Sequence, residues 1–379
     1  MRIANTPDST SNSEGDRFCR LNHKRRGRRR GLFDVNEPAG TNRRADANGS
    51  RSLQSRNHTH YVAGSVVETN VHYPTDSSLL GDGARVLTRT MKKVEQAAGG
   101  LKKRIRNRMR SVNKKVIAIA LAGRLKVSEG EERRVERYRE LVSLTGKIVH
   151  QAEGVLEEMQ RLPRRRQAHL KRLREILETM AGRVRQVVRQ TQARVFQGMT
   201  KYPHKIMSLF EPHTEIIRKG KASKPNEFGK LVKVQEAENQ IITHYEVFAE
   251  RPEDSQLLVP AVEQHQRRFG RAPRMVAADT GFYSLKNEKT IQAMGVTRVA
   301  VPSRSTKSSE RRKLQRTRWF RTGQRWRTGC EGRISVLKRR HGLNRCRYRG
   351  FEGMQRWVGL GVIADNIIQI GRCLAAQRT

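Results

Sequence analysis

The sequence predicts an α/β fold with a mixed sheet, interrupted after its first strand by a large basic helical block. Three observations predict it. A β-branched run bounded by a turn lies near residue 61. Residues 93–205 then carry apolar positions at helical spacing with no strand pattern. From residue 206 onward, short apolar runs alternate with helical patterns.

Residues 1–60 are polar and Arg-rich, with NHKRRGRRRGL at 22–32 and almost no apolar periodicity. Such a segment buries too little surface to offset its ordering entropy, so a disordered tail is expected. It reads either as a basic arm on DNA or as a tail that binds nothing specific. The stretch YVAGSVVETNVHY, ending at the Pro74-Thr75-Asp76 turn, predicts the first strand at about 61–71. Leu79, Leu80, Val86 and Leu87 open a helix.

Two long amphipathic helices follow. Val135, Tyr138, Leu141, Ile148, Ala152, Val155, Met159 and Leu162 share one face, and Leu170, Leu173, Leu177, Met180, Val184 and Val188 another. Pro163 separates them, which predicts an antiparallel helical hairpin. Leu231, Val232 and Val234, then Ile241, Tyr245 and Val247, flank a turn at Glu238-Asn239 and predict a β-hairpin. A helix capped at 251–254 runs to Phe269 and stops at Gly270. A strand at Arg274–Ala278, a helix at Tyr283–Met294 and a strand at 295–301 come next. A last helix, Val358–Leu374, sets Leu360, Ile363, Ile367 and Ile370 in register.

Composition narrows the function. The formal net charge is +43, from 79 Lys and Arg against 36 Asp and Glu. Self-repulsion on that scale calls for a polyanion, and nucleic acid is the first candidate. The N-terminus is polar from Arg2 and no apolar run approaches a bilayer span, so no membrane is expected. Cys19, Cys330, Cys346 and Cys373 show no CxxC spacing and read as reduced thiols. A cytoplasmic, nucleoid-associated protein is the expectation.

Two acids stand out. Asp279 ends an apolar strand just before Gly281, which is where open α/β sheets place ligands. It reads equally as the N-cap of the helix that follows. Glu331 lies four residues after Arg327, with Lys338 two turns on, all on one helix face. That stripe is either a surface ion-pair row or a metal-binding acid with phosphate-gripping bases. Carboxylates of this kind hold Mg²⁺ for in-line attack on a phosphodiester. Trp319, Phe320, Trp326 and Tyr348 lie among the basic residues and serve either as base-stacking platforms or as core.

Three segments carry a family resemblance: IRKGKASKPNEFG at 217–229, VAADTGFYSLKN at 276–287 and RWRTGCEGRISVLKRRHGLNRCRYRG at 325–350. They resemble the insertion-sequence transposases of the DDE class, over about Ser65 to Arg372. The last holds the family's Arg-x3-Glu-x6-Lys signature at Arg327, Glu331 and Lys338, with Gln324 where a Tyr often stands. The resemblance implies an RNase H-like catalytic domain at 61–92 and 206–379, with the helices of 93–205 as an insertion. It implies Asp279 and Glu331 as catalytic and metal-binding acids, with Mg²⁺ (or Mn²⁺) as cofactor. Arg327 and Lys338, with Arg325, Arg339, Arg340, Lys219 and Lys221, would contact DNA. Its partners would be the element's terminal repeats and target DNA, in a homodimeric synaptic complex. The family's first acid falls at Ala63, and residues 1–64 do not resemble the helical DNA-binding region expected there. A truncated or frameshifted copy is therefore expected, with little strand transfer. Glu68, Asp76, Glu211 and Asp254 are the substitute acids, Asp254 the best by chemistry and otherwise a helix cap. The other readings are a non-catalytic DNA-binding derivative that inhibits transposition by occupying ends, and a general basic nucleic-acid-binding protein.

Overall fold

The computed structural model describes residues 59–102, 104–123, 127–218 and 225–378. The Arg-rich head, Lys219 and Lys221 lie outside the described residues.

Strand β1 (Thr59–Glu68) is buried on both faces apart from Gly64 and Glu68. Alternation sends Val62 and Val66 to one side and Tyr61, Ala63 and Val67 to the other. The strand starts two residues earlier than its β-branched run suggests and stops at Glu68. There the Cys346 amide caps the Glu68 carbonyl at 2.7 Å.

Four helices separate β1 from the rest of the sheet: α1 (Asp76–Ala98), α2 (Met109–Ala122), α3 (Val127–Gln160) and α4 (Arg164–Gln197). A Thr75–Ser78 capping box starts α1, and Gly99, at φ 74°, ends it in the left-handed conformation that a side chain would strain. Leu80, Leu87, Met91, Leu141, Ile148, Leu170, Leu177 and Val184 form one core. Arg194 of α4 pairs with buried Asp76 at 2.8 Å, and Arg166 at the other end of α4 reaches the Ala98 carbonyl. Those contacts fix α1 and α4 antiparallel.

The sheet resumes with β2 (Glu215–Arg218), β3 (Asn226–Glu236) and β4 (Ile242–Val247). β3 runs antiparallel to β1, from Tyr61↔Glu236 to Glu68↔Gly229. Its other edge is shared by β2 at its start and β4 at its end. A 3-10 turn at Asp254–Leu257 then leads into α5 (Leu258–Phe269), so the helix expected from residue 254 begins as a tighter turn. β5 (Met275–Ala277) runs parallel to β1, and after α6 (Leu285–Ala293), β6 (Arg298–Ala300) runs parallel to β5. The strand order is β2-β3-β1-β5-β6, with β4 also on β3.

Helices cover both faces of this mixed sheet. On one, α5 and α6 bury Leu258, Val262 and Ile291 against Val62, Val66 and Val276. On the other, after α7 (Ser309–Arg316), α8 (Arg318–Arg340) packs Phe320 and Cys330 on Tyr61, Ala63, Ala277 and Ala300. α9 (Gly350–Arg378) packs Met354, Val358 and Val362 on Val67, Val232 and Val234.

α9 departs from expectation in two ways. It is longer than the apolar register implied, and Leu360, Ile363, Ile367 and Ile370 are exposed. The inward face is the one with Val358, Val362 and Asp365. Among the described residues α9 is also long and apolar enough to cross a membrane by length and composition, although its inward face, with Val358, Val362, Asp365 and Gln369, is buried in the fold.

Candidate functional site

The crevice lies where β5 ends and α8 crosses it. β5 closes at Ala277, and two residues later Asp279 projects a side chain that is 57% exposed. Its Oδ1 accepts the Thr280 amide at 2.7 Å and caps only the 3-10 turn Thr280–Phe282. The helix beyond is capped by Ser284, whose Oγ accepts the Asn287 amide. Asp279 is thus not the cap of α6, the alternative the sequence left open.

α8 reaches the strand ends because residue 323 is glycine. A Cβ there would lie 2.7 Å from the Ala300 Cβ and 3.2 Å from the Met275 sulfur. The close approach lets Gln324 donate its Nε2 to the Ala278 and Ala300 carbonyls, which end two parallel strands. The Gln324 Oε1 then accepts Arg327 Nε at 3.1 Å. Arg327 Nη1 donates to Glu331 Oε1 at 2.5 Å and lies 4.0 Å from Asp279 Oδ1. Both carboxylate oxygens are held near one nitrogen, so they are separated by at most the sum of those distances, about 6.5 Å. Gln324, which on sequence was only a departure from a motif, anchors the guanidinium that joins the two acids.

At about 100° per residue, Arg327, Glu331 and Lys338 fall within about 40° around the α8 axis. Arg325, Arg339 and Arg340 lie roughly 120–220° away from Arg327 and are exposed on other sides of the helix. Of the aromatics, Phe320 is core and Trp319 packs against it. Trp326 and Tyr348 are exposed, with Trp326 beside Tyr61 and Tyr348 against Trp357.

Mg²⁺ binds oxygens at about 2.1 Å, so sharing one ion would bring these two oxygens to about 4.2 Å or closer, inside that bound, with water and phosphate completing the shell. The carboxylates are two, and among the described residues no group of three His, Cys, Asp or Glu converges. β1 pairs Tyr61 with Ala277, and continuing that parallel register sets Ala63 beside Asp279. Ala63 lies on the α8 side of the sheet, buried with Phe320 and Cys330. The remaining acids are committed elsewhere. Glu68 lies 3.8 Å from Arg345, Asp76 pairs with Arg194, and Glu211 accepts the Gly350 amide at 3.0 Å. Asp254 packs against Gly281, where a Cβ would sit 2.9 Å from its Oδ2. It is the one of the four that touches the turn carrying Asp279.

Beneath α8 lies a buried polar cluster with no counterpart in the sequence reading. Arg333 is 7% exposed and donates to Asp365 Oδ1 at 3.2 Å and to Gln240 Oε1. His341 Nε2 lies 3.5 Å from the same Asp365 oxygen. Glu236, opposite Tyr61 on β3, is buried beside Cys330, and burial pushes its pKa up to about 7 against the partial relief of Arg333. A carboxyl raised in the folded state stabilises the fold fully below its ordinary value of 4.5, and that contribution is lost as pH rises through about 7. Glu236→Gln is therefore expected to leave stability unchanged near pH 4 and to raise it by about 3 kcal/mol at pH 8. Urea denaturation of both proteins at the two pH values checks the difference.

A mixed sheet with an acid at a central strand's end and a second acid on the helix crossing it makes an α/β protein with a polar strand-end crevice. Residues 287–371 match the family model described as a transposase DDE domain, and this match supports a transposase of the DDE class. The matched stretch runs from α6 into α9, includes Arg327, Glu331 and Lys338, and begins eight positions after Asp279. No curated protein and no solved structure matches the chain.

Proposed function

We propose that the chain is an insertion-sequence transposase that binds its element's terminal repeats, with an RNase H-like catalytic domain interrupted by α1–α4. The observation that carries this is the convergence of Asp279 and Glu331, from a strand end and a distant helix, on the Arg327 guanidinium. The strand order, with β1 antiparallel to β3 and parallel to β5, supports the fold assignment. The net charge of +43 and the matched transposase domain support DNA as partner.

In this reading Asp279 and Glu331 hold Mg²⁺ or Mn²⁺, which when bound polarises a phosphodiester and activates the attacking oxygen. Arg327 orients both carboxylates and balances their charge, while Gln324 fixes Arg327 against the strand ends. Lys338, on the same face, meets the flanking phosphate. A homodimer bringing two element ends together completes the proposal. With Ala63 in the third position the site is incomplete, so cleavage is slow or absent. The protein then acts chiefly by occupying ends, which is the second reading. The short separation of Asp279 and Glu331 speaks against a general basic protein, for which they need not meet.

A cleavage assay on terminal-repeat DNA with Mg²⁺ tests this. The expected result is repeat-specific binding with little turnover, unchanged in Asp279→Ala. Robust turnover that Asp279→Ala abolishes would sink the incomplete-site reading, and an absence of DNA binding would sink the transposase reading itself.

A further inference from the structure

From the helical bundle we infer a second, sequence-independent contact for double-stranded DNA at the end remote from the sheet, deepening the transposase reading on which it rests. Antiparallel contacts place Asp76 and Arg194 at one end of the bundle and Ala98 and Arg166 at the other. At about 1.5 Å per residue, α1 alone separates those ends by about 33 Å, close to one turn of duplex.

The remote end gathers two segments that are far apart in sequence. Lys102, Arg104 and Arg106 come from the α1–α2 connection, and Arg161, Arg164 and Arg165 from the turn at Pro163. All six are exposed, and none has a carboxylate partner among the described residues. Their backbone is anchored. The Lys102 amide donates to Glu158 Oε2 at 2.9 Å, Gln151 Nε2 donates to the Arg104 carbonyl, and Ile105 is buried. Gln167 Nε2 holds the Leu162 carbonyl at 2.7 Å.

At the sheet-proximal end several cations are matched: Arg134 with Glu131, Arg137 and Lys115 with Glu140, Arg139 with Glu136. At the tip, six unmatched charges stand on fixed backbone, which stores repulsion that a row of phosphates relieves. Five of the six are arginines, whose planar fork suits phosphate oxygens. Residues 99–110 and 158–168 contain no Phe, Tyr or Trp, so the tip lacks the stacking platforms that single-stranded nucleic acid uses. Its apolar residues point inward, so it also lacks the apolar wedge of a membrane-surface helix.

The test is the salt dependence of full-chain binding to a random-sequence DNA duplex several turns long. The variant is K102Q/R104Q/R161Q/R164Q/R165Q, which spares Arg166 because it holds the Ala98 carbonyl. Its thermal unfolding is expected to match that of the native chain. At roughly 0.9 counterions per phosphate, the slope of log K against log salt is expected to shrink by about 4. The control R134Q/R137Q/R139Q is expected to keep the native slope to within about 1, since those cations already have partners. A tip variant that folds and keeps the native slope overturns the tip contact while leaving the transposase reading standing. A native chain that binds no duplex at any salt overturns both. A loss confined to RNA overturns the assignment of DNA.

Discussion

Replacing Asp365 with alanine is expected to cost about 3–5 kcal/mol, a large share of the stability of an ordinary domain. Asp365 is 1% exposed and is the anion facing Arg333, itself 7% exposed. Removing it leaves a buried guanidinium with Gln240 as its remaining neutral acceptor. The neighbouring Glu236 offers incomplete compensation, because burial holds its carboxyl mostly neutral below about pH 7. The loss is therefore expected to be larger at pH 5.5 than at pH 8, where an ionised Glu236 can take up part of the charge. Replacing the whole pair, as Arg333→Met with Asp365→Leu, is expected to recover most of the stability, since an apolar pair of similar size escapes the desolvation cost. Urea denaturation of the three proteins measures this. A cost below about 1 kcal/mol for Asp365→Ala would mean that Arg333 reaches water in the native state.

The same pair shows what the sequence disclosed and what it withheld. In the sequence Arg333 is one more base in a stretch that also holds Arg325, Arg327, Arg339 and Arg340. Nothing in its immediate neighbours says that its side chain turns inward. Asp365 carried the available signal, because it is the one acid in the apolar stretch after Glu352, and a buried acid requires a buried donor. The apolar register of α9 disclosed a stripe but not its direction. Leu360, Ile363 and Ile367 share a face as expected, yet that face is exposed because Arg333 commits Asp365, and with it the opposite face, to the core.

The strands and long helices were legible because their signals are local. β-branched runs, Pro163, Gly270 and the turn at 238–239 each act within a few residues. The proximity of Asp279 to Glu331 is not local: 52 residues of chain separate them, and α8 must cross the strand ends at the right height. That crossing depends on Gly323 having no side chain and on Gln324 bonding two strand-end carbonyls. Neither residue announces itself in sequence, since glycine and glutamine on a helix ordinarily mean weak propensity and a solvated face.

Ala63→Asp is expected to convert a protein with weak metal dependence into one with a strong dependence. Position 63 lies on the α8 side of β1, and the β1–β5 register carries it alongside Asp279. In the absence of metal the substitution is expected to destabilise the fold, because it buries an acid among Phe320, Cys330 and Tyr61 without a partner. Near neutral pH the new carboxyl is expected to stay largely protonated for the same reason. A divalent cation reverses that balance, since three carboxylates then share it and ionisation becomes favourable. Mg²⁺ or Mn²⁺ at about 100 times its dissociation constant is expected to stabilise the variant by about 2.7 kcal/mol. The native chain, with two carboxylates already bridged by Arg327, is expected to gain much less. Metal-dependent cleavage of terminal-repeat DNA is expected to appear in the variant and to disappear again when Asp279→Ala or Glu331→Gln is added. Thermal unfolding with and without metal reads the first effect independently of activity. If the variant folds and shows neither metal stabilisation nor cleavage, Ala63 does not occupy the position of a missing ligand, and Asp254, packed against the turn that carries Asp279, becomes the acid to replace next.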